Sequence, residues 1–180
     1  MHQVFAEIDR LRIAEAERAA LLPGGRAFSL ASWVVDGAAE FVEGFAKSWA
    51  APTVASHSAL WHDDIVLIQP LMPKAIGRKE CEEGFARLFS LIPDLHATVH
   101  RWAAAEPDVV FIEFTLAGTF GGQPIEWEAV DRFVLRDGLA LERVSYFDSM
   151  PLAIEMALRP RGWRQLLTGR FRPRLSRLKR

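Results

Sequence analysis

The sequence predicts an α+β fold, with helices packed on one face of a strongly bent antiparallel sheet. Three observations carry that reading: apolar residues recur at helical spacing through the first half of the chain, the period changes to 2 beyond Pro93, and turn signals then cut the remainder into strand-length runs. Helices first and a meander afterwards is the order of an α+β chain, not of alternating βαβ units. The 180 residues suit one folded domain with terminal additions, and 50% hydrophobic with 25% charged residues excludes a disordered, collagen-like or bilayer-spanning chain.

Val4, Ile8, Leu11 and Ala14 recur among Glu and Arg, so residues 3–21 read as an amphipathic helix that Pro23-Gly24-Gly25 ends. Residues 32–49 form a second helix, with Val34, Val35, Ala38, Phe41, Val42, Phe45 and Trp49 on one broad face. A third, short helix over 53–61 leads into Trp61-His62-Asp63-Asp64, and Ile65-Val66-Leu67-Ile68 is a strand closed by Gln69-Pro70. Ile76-Gly77-Arg78-Lys79-Glu80 opens a fourth helix with apolar side Phe85, Leu88, Phe89 and Ile92, stopped at Pro93. Strands are expected over 95–103, 109–119, 125–136 and 139–148. The connections are Glu106-Pro107-Asp108, Gly121-Gly122-Gln123-Pro124 and Arg136-Asp137-Gly138.

A lone cysteine, Cys81, makes no intrachain disulfide, and the acid-bearing N-terminus lacks the basic start and apolar run of a secretory signal; a reducing cytoplasm is expected. Charge is uneven. Residues 152–180 hold nine Lys/Arg against Glu155, a balance of +8 in a chain whose net charge is −1, so the rest carries −9. Such a tail suits an anionic membrane or nucleic acid, but equally a fold back onto its own body or a partner copy. The last is the plainer reading, because no helix-turn-helix, aromatic RNA-binding or phosphate-loop pattern accompanies it, and no nucleic-acid partner is expected. Residues beyond 152 are expected to be partly helical, with Trp163, Leu166, Leu167 and Phe171 resting on apolar surface.

Trp61 to Pro70, Ile76-Gly77-Arg78, Val130-Asp131-Arg132-Phe133, Asp137-Gly138 and Tyr146-Phe147-Asp148 recur in an order that resembles the nuclear transport factor 2-like superfamily. Within it the chain is similar to SnoaL-like polyketide cyclases, ketosteroid isomerases and limonene-type epoxide hydrolases over residues 33–150. The resemblance implies a cone-shaped α+β barrel with a pocket between concave sheet and helices, usually in a homodimer. It divides the chain into an N-terminal helix and linker over 1–29, the domain over 30–151 and a basic extension over 152–180.

Period 2 decides which side chains share the pocket face: with Asp131 pointing inward, Trp127, Ala129 and Phe133 join it, while Val130 and Arg132 point away. An acid among aromatics loses hydration on ionising, so its pKa rises and it holds a proton near neutral pH. The competing reading is a structural pair of Asp131 with Arg143. The resemblance adds that the isomerase's enolate-stabilising acid matches Asp131, while its base and oxyanion tyrosine fall on Gln69 and near Phe45, which speaks against steroid-type isomerisation. From the hydrolases it implies a carboxylate–Arg–carboxylate group rebuilt from Glu113, Asp131 and Arg143, with Ser145 where their second Asp stands and Gln69 orienting water. The same three also fit an inactive buried ion-pair network. The cyclases' His is missing from 115–120, and His96 or His100 is its only stand-in.

Asp131, Glu113 and Arg143 are thus the candidate catalytic residues. Gln69, Trp127, Phe45, Phe133, Ser145, Phe147 and Leu67 are the candidate substrate-binding ones. His57 and His62 have no metal-ligand spacing, and no metal or cofactor is expected; Cys81, in a helix's first turn where the dipole favours a thiolate, lacks partners for nucleophilic work. Val130, Val134, Val144 and Tyr146, of opposite parity to the pocket set, are expected to cover a homodimer interface. Two functions fit: a cofactor-independent enzyme acting by acid/base or water-addition chemistry on a small apolar polyketide-, steroid- or terpenoid-like metabolite, or a non-catalytic binding or accessory domain.

Overall fold

Thr53 and Ser56 form a reciprocal capping box, each side chain bonding the other's backbone N–H, which starts a five-residue helix and leaves it to end at Ser58. That short helix is one of the elements of a computed structural model that describes residues 28–167, with side chains from 37 to 163. In chain order they are α1 (Phe28–Ala50), α2 (Val54–Ser58), β1 (Trp61–Ile68), β2 (Ala75–Ile76), α3 (Arg78–Leu91), β3 (His96–Glu106), β4 (Val109–Phe120), β5 (Gln123–Arg136), β6 (Leu139–Tyr146), α4 (Ser149–Ala157) and α5 (Pro160–Leu167). The expected helix over 3–21, the linker after it and the side chains of Leu166, Leu167 and Phe171 lie outside the described residues.

The six strands form one sheet in the order β2-β1-β6-β5-β4-β3. β3 to β6 make the expected antiparallel meander, and β1 joins β6 in parallel. Two hairpins turn on pairs of residues with positive φ, Gly121-Gly122 (62° and 81°) and Asp137-Gly138 (53° and 77°), the backbone that matches the right-handed twist of the flanking strands. Gln123-Pro124, expected in the turn, instead opens β5, where Pro124 faces Thr119. β1 likewise begins at Trp61 rather than Ile65. Leu60 accepts a hydrogen bond from Ala140 N (2.8 Å) and Trp61 pairs with Ala140, so β6 draws these residues into the sheet. Register shifts at Trp61/Val66, Val99/Arg101, Ala104/Glu106 and Val134/Leu135 mark the irregularities at which such a sheet bends.

The Ile76-Gly77-Arg78 motif has a structural task. Gly77 caps α3 at φ 82°, a backbone region that disfavours any side chain. Arg78 then binds Asp63 (2.8 Å) and the carbonyls of Ser58 and Trp61, tying α2 and β1 to the start of α3.

Alternation is strict where the core needs it. Val110, Ile112, Phe114 and Leu116 of β4 point inward opposite Phe133, Asp131, Ala129 and Trp127 of β5. Phe41 and Phe45 of α1 meet Phe133 edge-on, with ring centres 4.9 and 5.4 Å apart, and Phe45 meets Phe114 at 5.3 Å. Truncating one such ring to Ala costs about 3–5 kcal/mol. The faces divide as parity requires, so that Val130 and Tyr146, paired across the ladder, stand on the outer face at 37% and 53% exposure.

Candidate functional site

Between sheet and helices lies a cavity of about 230 Å³. Its wall takes Trp49 from α1, Gln69 to Met72 after β1, Phe85, Leu88 and Leu91 from α3, and Ile92. The sheet gives Leu116, Trp127, Arg143 and Ser145, and the far side is closed by Phe147 with Leu152 and Met156 of α4. Leu71 sits there at φ 64° and 55% exposure, a left-handed backbone that an L residue adopts only under constraint.

Strand pairing assembles the polar end. Asp131 of β5 faces Ser145 of β6, while Arg143, two residues before Ser145, emerges on the same side. Arg143 Nε donates to Asp131 Oδ2, and its guanidinium lies 5.5 Å from the Phe85 ring centre and 5.9 Å from that of Phe133. Asp131 is wholly buried. Burial drives its pKa up, against the opposing pull of Arg143 and the Ser145 hydroxyl. Asp131 Oδ1 has no hydrogen-bond partner among the described residues.

A second buried polar pair stands behind Trp49. Ser48 Oγ donates to the Phe45 carbonyl (2.8 Å), so its oxygen accepts from His57 Nδ1 (3.0 Å), which assigns the ring's proton to Nδ1. His57 Nε2 and Trp49 Nε1 are buried without partners among the described residues. Burial first, and the Arg143 charge second, push the His57 pKa down to about 3, so the ring is neutral at physiological pH.

The structure thus brings Asp131, Arg143 and Ser145 together, with Gln69, Trp127 and Phe147 on the same cavity wall. It does not bring Glu113 to them. Glu113 faces Val130 across the ladder, on the outer face, and pairs with Arg101 at 3.2 Å; the expected carboxylate–Arg–carboxylate group is therefore a carboxylate–Arg pair. Period 2 already separates Glu113 from Ile112, Phe114 and Leu116, and that signal was available in the sequence. Phe45, Phe133 and Leu67 belong to the packed core rather than the wall. The Gln69 amide nitrogen is engaged with Met72 Sδ at 2.7 Å, leaving its oxygen as the acceptor on this side.

His96 and His100 are exposed on β3, bonded to the Asp94 carbonyl and Thr115, and do not reach the cavity. Cys81 is buried, and burial pushes its thiol up to about 11, overriding the helix start. Among the described residues no group of three His, Cys, Asp or Glu side chains is placed to hold a metal. The sequence reading missed Trp49, Met72, Leu152 and Met156 as wall residues. Trp49 was visible on the apolar face of α1, but nothing local shows that α4 folds back over the sheet.

Solved structures with this fold share little sequence with the chain. TerC co-crystallised with polyporic acid aligns with a TM-score of 0.61 at 16% identity, over 67% of this chain and 98% of its own. A SnoaL-like polyketide cyclase, so described, from Jannaschia gives 0.58 at 20% identity over 69% and 92%. An LEH-like epoxide hydrolase from M. tuberculosis gives 0.54 at 20% over 74% and 96%. At these identities the likeness shows the fold. No curated protein matches the sequence. The SnoaL-like domain model matches residues 42–143, more than half of the chain, and the chain belongs to that family.

Proposed function

We propose that the protein is a cofactor-independent enzyme that works by proton transfer or water addition on a small, largely apolar metabolite with polyketide-, steroid- or terpenoid-like ring chemistry. The substrate lies against Leu116, Trp127 and Phe147 with one oxygen toward Arg143 and Ser145. The observation that carries this reading is the Asp131–Arg143–Ser145 group, a buried carboxyl behind two hydrogen-bond donors of a largely apolar wall. Arg143, held by Asp131, stabilises negative charge as it develops on the substrate oxygen. Ser145 touches both the cavity and the Asp131 side. Its oxygen takes a proton from substrate or water as its own passes to the carboxylate, and the reverse sequence delivers a proton. Asp131 therefore acts through its neighbours, a positioning and proton-holding residue.

Candidate lactones, enones and epoxides test this. Asp131→Asn keeps the shape and removes the titrating proton, so turnover falls at least about a hundredfold while ligand affinity changes little. Unchanged turnover overturns the assignment. A binding module is the second reading, favoured by the absence of any carboxylate from the cavity wall among the described residues. It predicts that a bound ligand is recovered chemically unchanged at every pH. The same proposal includes a cytoplasmic setting, the division at 29 and 151, and a homodimer across Val130, Val134, Val144 and Tyr146; a monomer by light scattering at tens of micromolar removes the dimer.

A further inference from the structure

Helix α4 is apolar on two sides. Leu152 and Met156 face the cavity, which accounts for one of them. Met150, Ile154 and Leu158, at the i, i+4, i+8 spacing of a single stripe, stand on the other at 66%, 52% and 77% exposure. Trp163 of α5 joins this surface, its indole donating to the Met156 carbonyl at 3.3 Å while the side chain stays 45% exposed. Among the described residues these four large apolar side chains stay open.

The same segment carries a net positive charge. Its one acid, Glu155, is already held by Arg159, and the remaining basic residues interleave with Phe171, Leu175 and Leu178 through to Arg180. Exposed apolar side chains beside an excess of Lys and Arg are the two components of attachment to an anionic lipid surface: one enters the headgroup boundary, the other stays among the phosphates. No described helix is long and apolar enough to cross a membrane. A second copy fits less well, because two segments of +8 repel each other across a shared stripe. Nucleic acid accounts for the charge but leaves the stripe without a use. The sequence alone favours a tail folded on its own body, but the apolar stripe of α4 is open among the described residues.

We propose that the apolar stripe of α4, with Trp163 of α5, is a docking surface for an anionic bilayer, to which the net positive charge of the C-terminal sequence is attracted. Met150, Ile154, Leu158 and Trp163 insert at the headgroup boundary, and the acidic remainder of the chain, at −9, is turned away by its charge. An enzyme or binding protein for apolar metabolites held there works where such compounds partition, but the surface stands independently of that function.

Co-sedimentation of the full chain with vesicles tests it, comparing pure phosphatidylcholine with a mixture containing about 30% phosphatidylserine. The chain binds the anionic vesicles and not the neutral ones, and raising salt from about 0.05 to 0.5 M lowers binding at least about tenfold. Ile154→Ser with Leu158→Ser, both exposed and outside the core, lowers it about tenfold with an unchanged melting curve. Failure to sediment with anionic vesicles overturns the proposal, whether the surface is then found to hold a second copy, the first 27 residues or DNA. Binding that ignores both salt and the double substitution overturns it too. Turnover plays no part in these outcomes, so the catalytic reading is judged separately.

Discussion

Replacing His57 with Phe removes one titratable group while keeping a ring of similar volume against Trp49, Phe85 and Phe89, whose centres lie 4.5, 4.9 and 5.5 Å away. In the folded protein the imidazole has a pKa of about 3, against 6.5 for an ordinary histidine. The unfolded chain therefore takes up the proton first, and the contribution is whole above pH 6.5 and lost as pH falls toward 3. Each unit in that window is worth about 1.4 kcal/mol, so the native chain loses about 2 kcal/mol between pH 7.5 and 5 from this group alone. Asp131 works in the opposite direction, since a carboxyl whose pKa is raised on folding contributes more stability as pH falls. It is present in both proteins and cancels in the comparison. Urea unfolding at the two pH values is the assay. With a slope of about 1–3 kcal/mol per molar, the native midpoint falls by about 1 M more than that of His57→Phe. Parallel midpoints refute the reasoning, and show that Nε2 finds an acceptor or water once protonated.

Other consequences are read more directly. Asp131→Ala leaves the Arg143 charge buried without its partner, and a loss of about 3–5 kcal/mol in chemical denaturation is expected. Gly162→Ala places a methyl group 2.4 Å from the Phe120 ring, so either α5 lifts or the ring moves, at about 1–3 kcal/mol by thermal melting. Glu113→Gln, on the outer face, alters turnover or ligand affinity by less than about twofold and stability by less than about 0.5 kcal/mol. Cys81, with its thiol near 11, resists alkylation at pH 8 in the folded protein and reacts at once in urea.

The fold was legible because its determinants are local. The switch from period 3.6 to 2 at Pro93, the Gly-containing turns and the apolar face of α1 lie within windows of a few residues, and all lead to elements within a few positions of their expected ends. What could not be read is pairing between distant segments. The parallel union of β1 with β6 starts the strand at Trp61, taking in the end of the expected helix and the His62-Asp63-Asp64 link ahead of the expected strand, and a sequence window cannot show it. Parity puts Asp131 on the buried face, and applied to β4 it puts Glu113 on the outer one; the expected grouping with Glu113 rested on the resemblance to hydrolases, and the alternation of β4 prevails because Ile112, Phe114 and Leu116 take the buried face.

The composition of the cavity wall separates this chain's chemistry from that of the families it resembles. Where the isomerases carry a base on the wall, Gln69 supplies an amide, and near their oxyanion tyrosine Phe45 packs in the core against Phe114 and Phe133. On the proposed reading the donors are Arg143 and Ser145 of β6, with the Asp131 carboxyl behind them. Asp131, behind both residues, either holds a proton that Ser145 relays or only holds the Arg143 cation in register. Ser145→Ala separates the two roles. If the hydroxyl carries the proton, turnover falls about as far as in Asp131→Asn, and the double variant loses no more than either single one. If Asp131 only orients Arg143, Ser145→Ala retains most of the rate, and the losses of the two substitutions add. A double-substitution cycle on one lactone or enone, followed from pH 5 to 9, decides between them. The relay is refuted by additive losses with a pH profile that Ser145→Ala leaves in place.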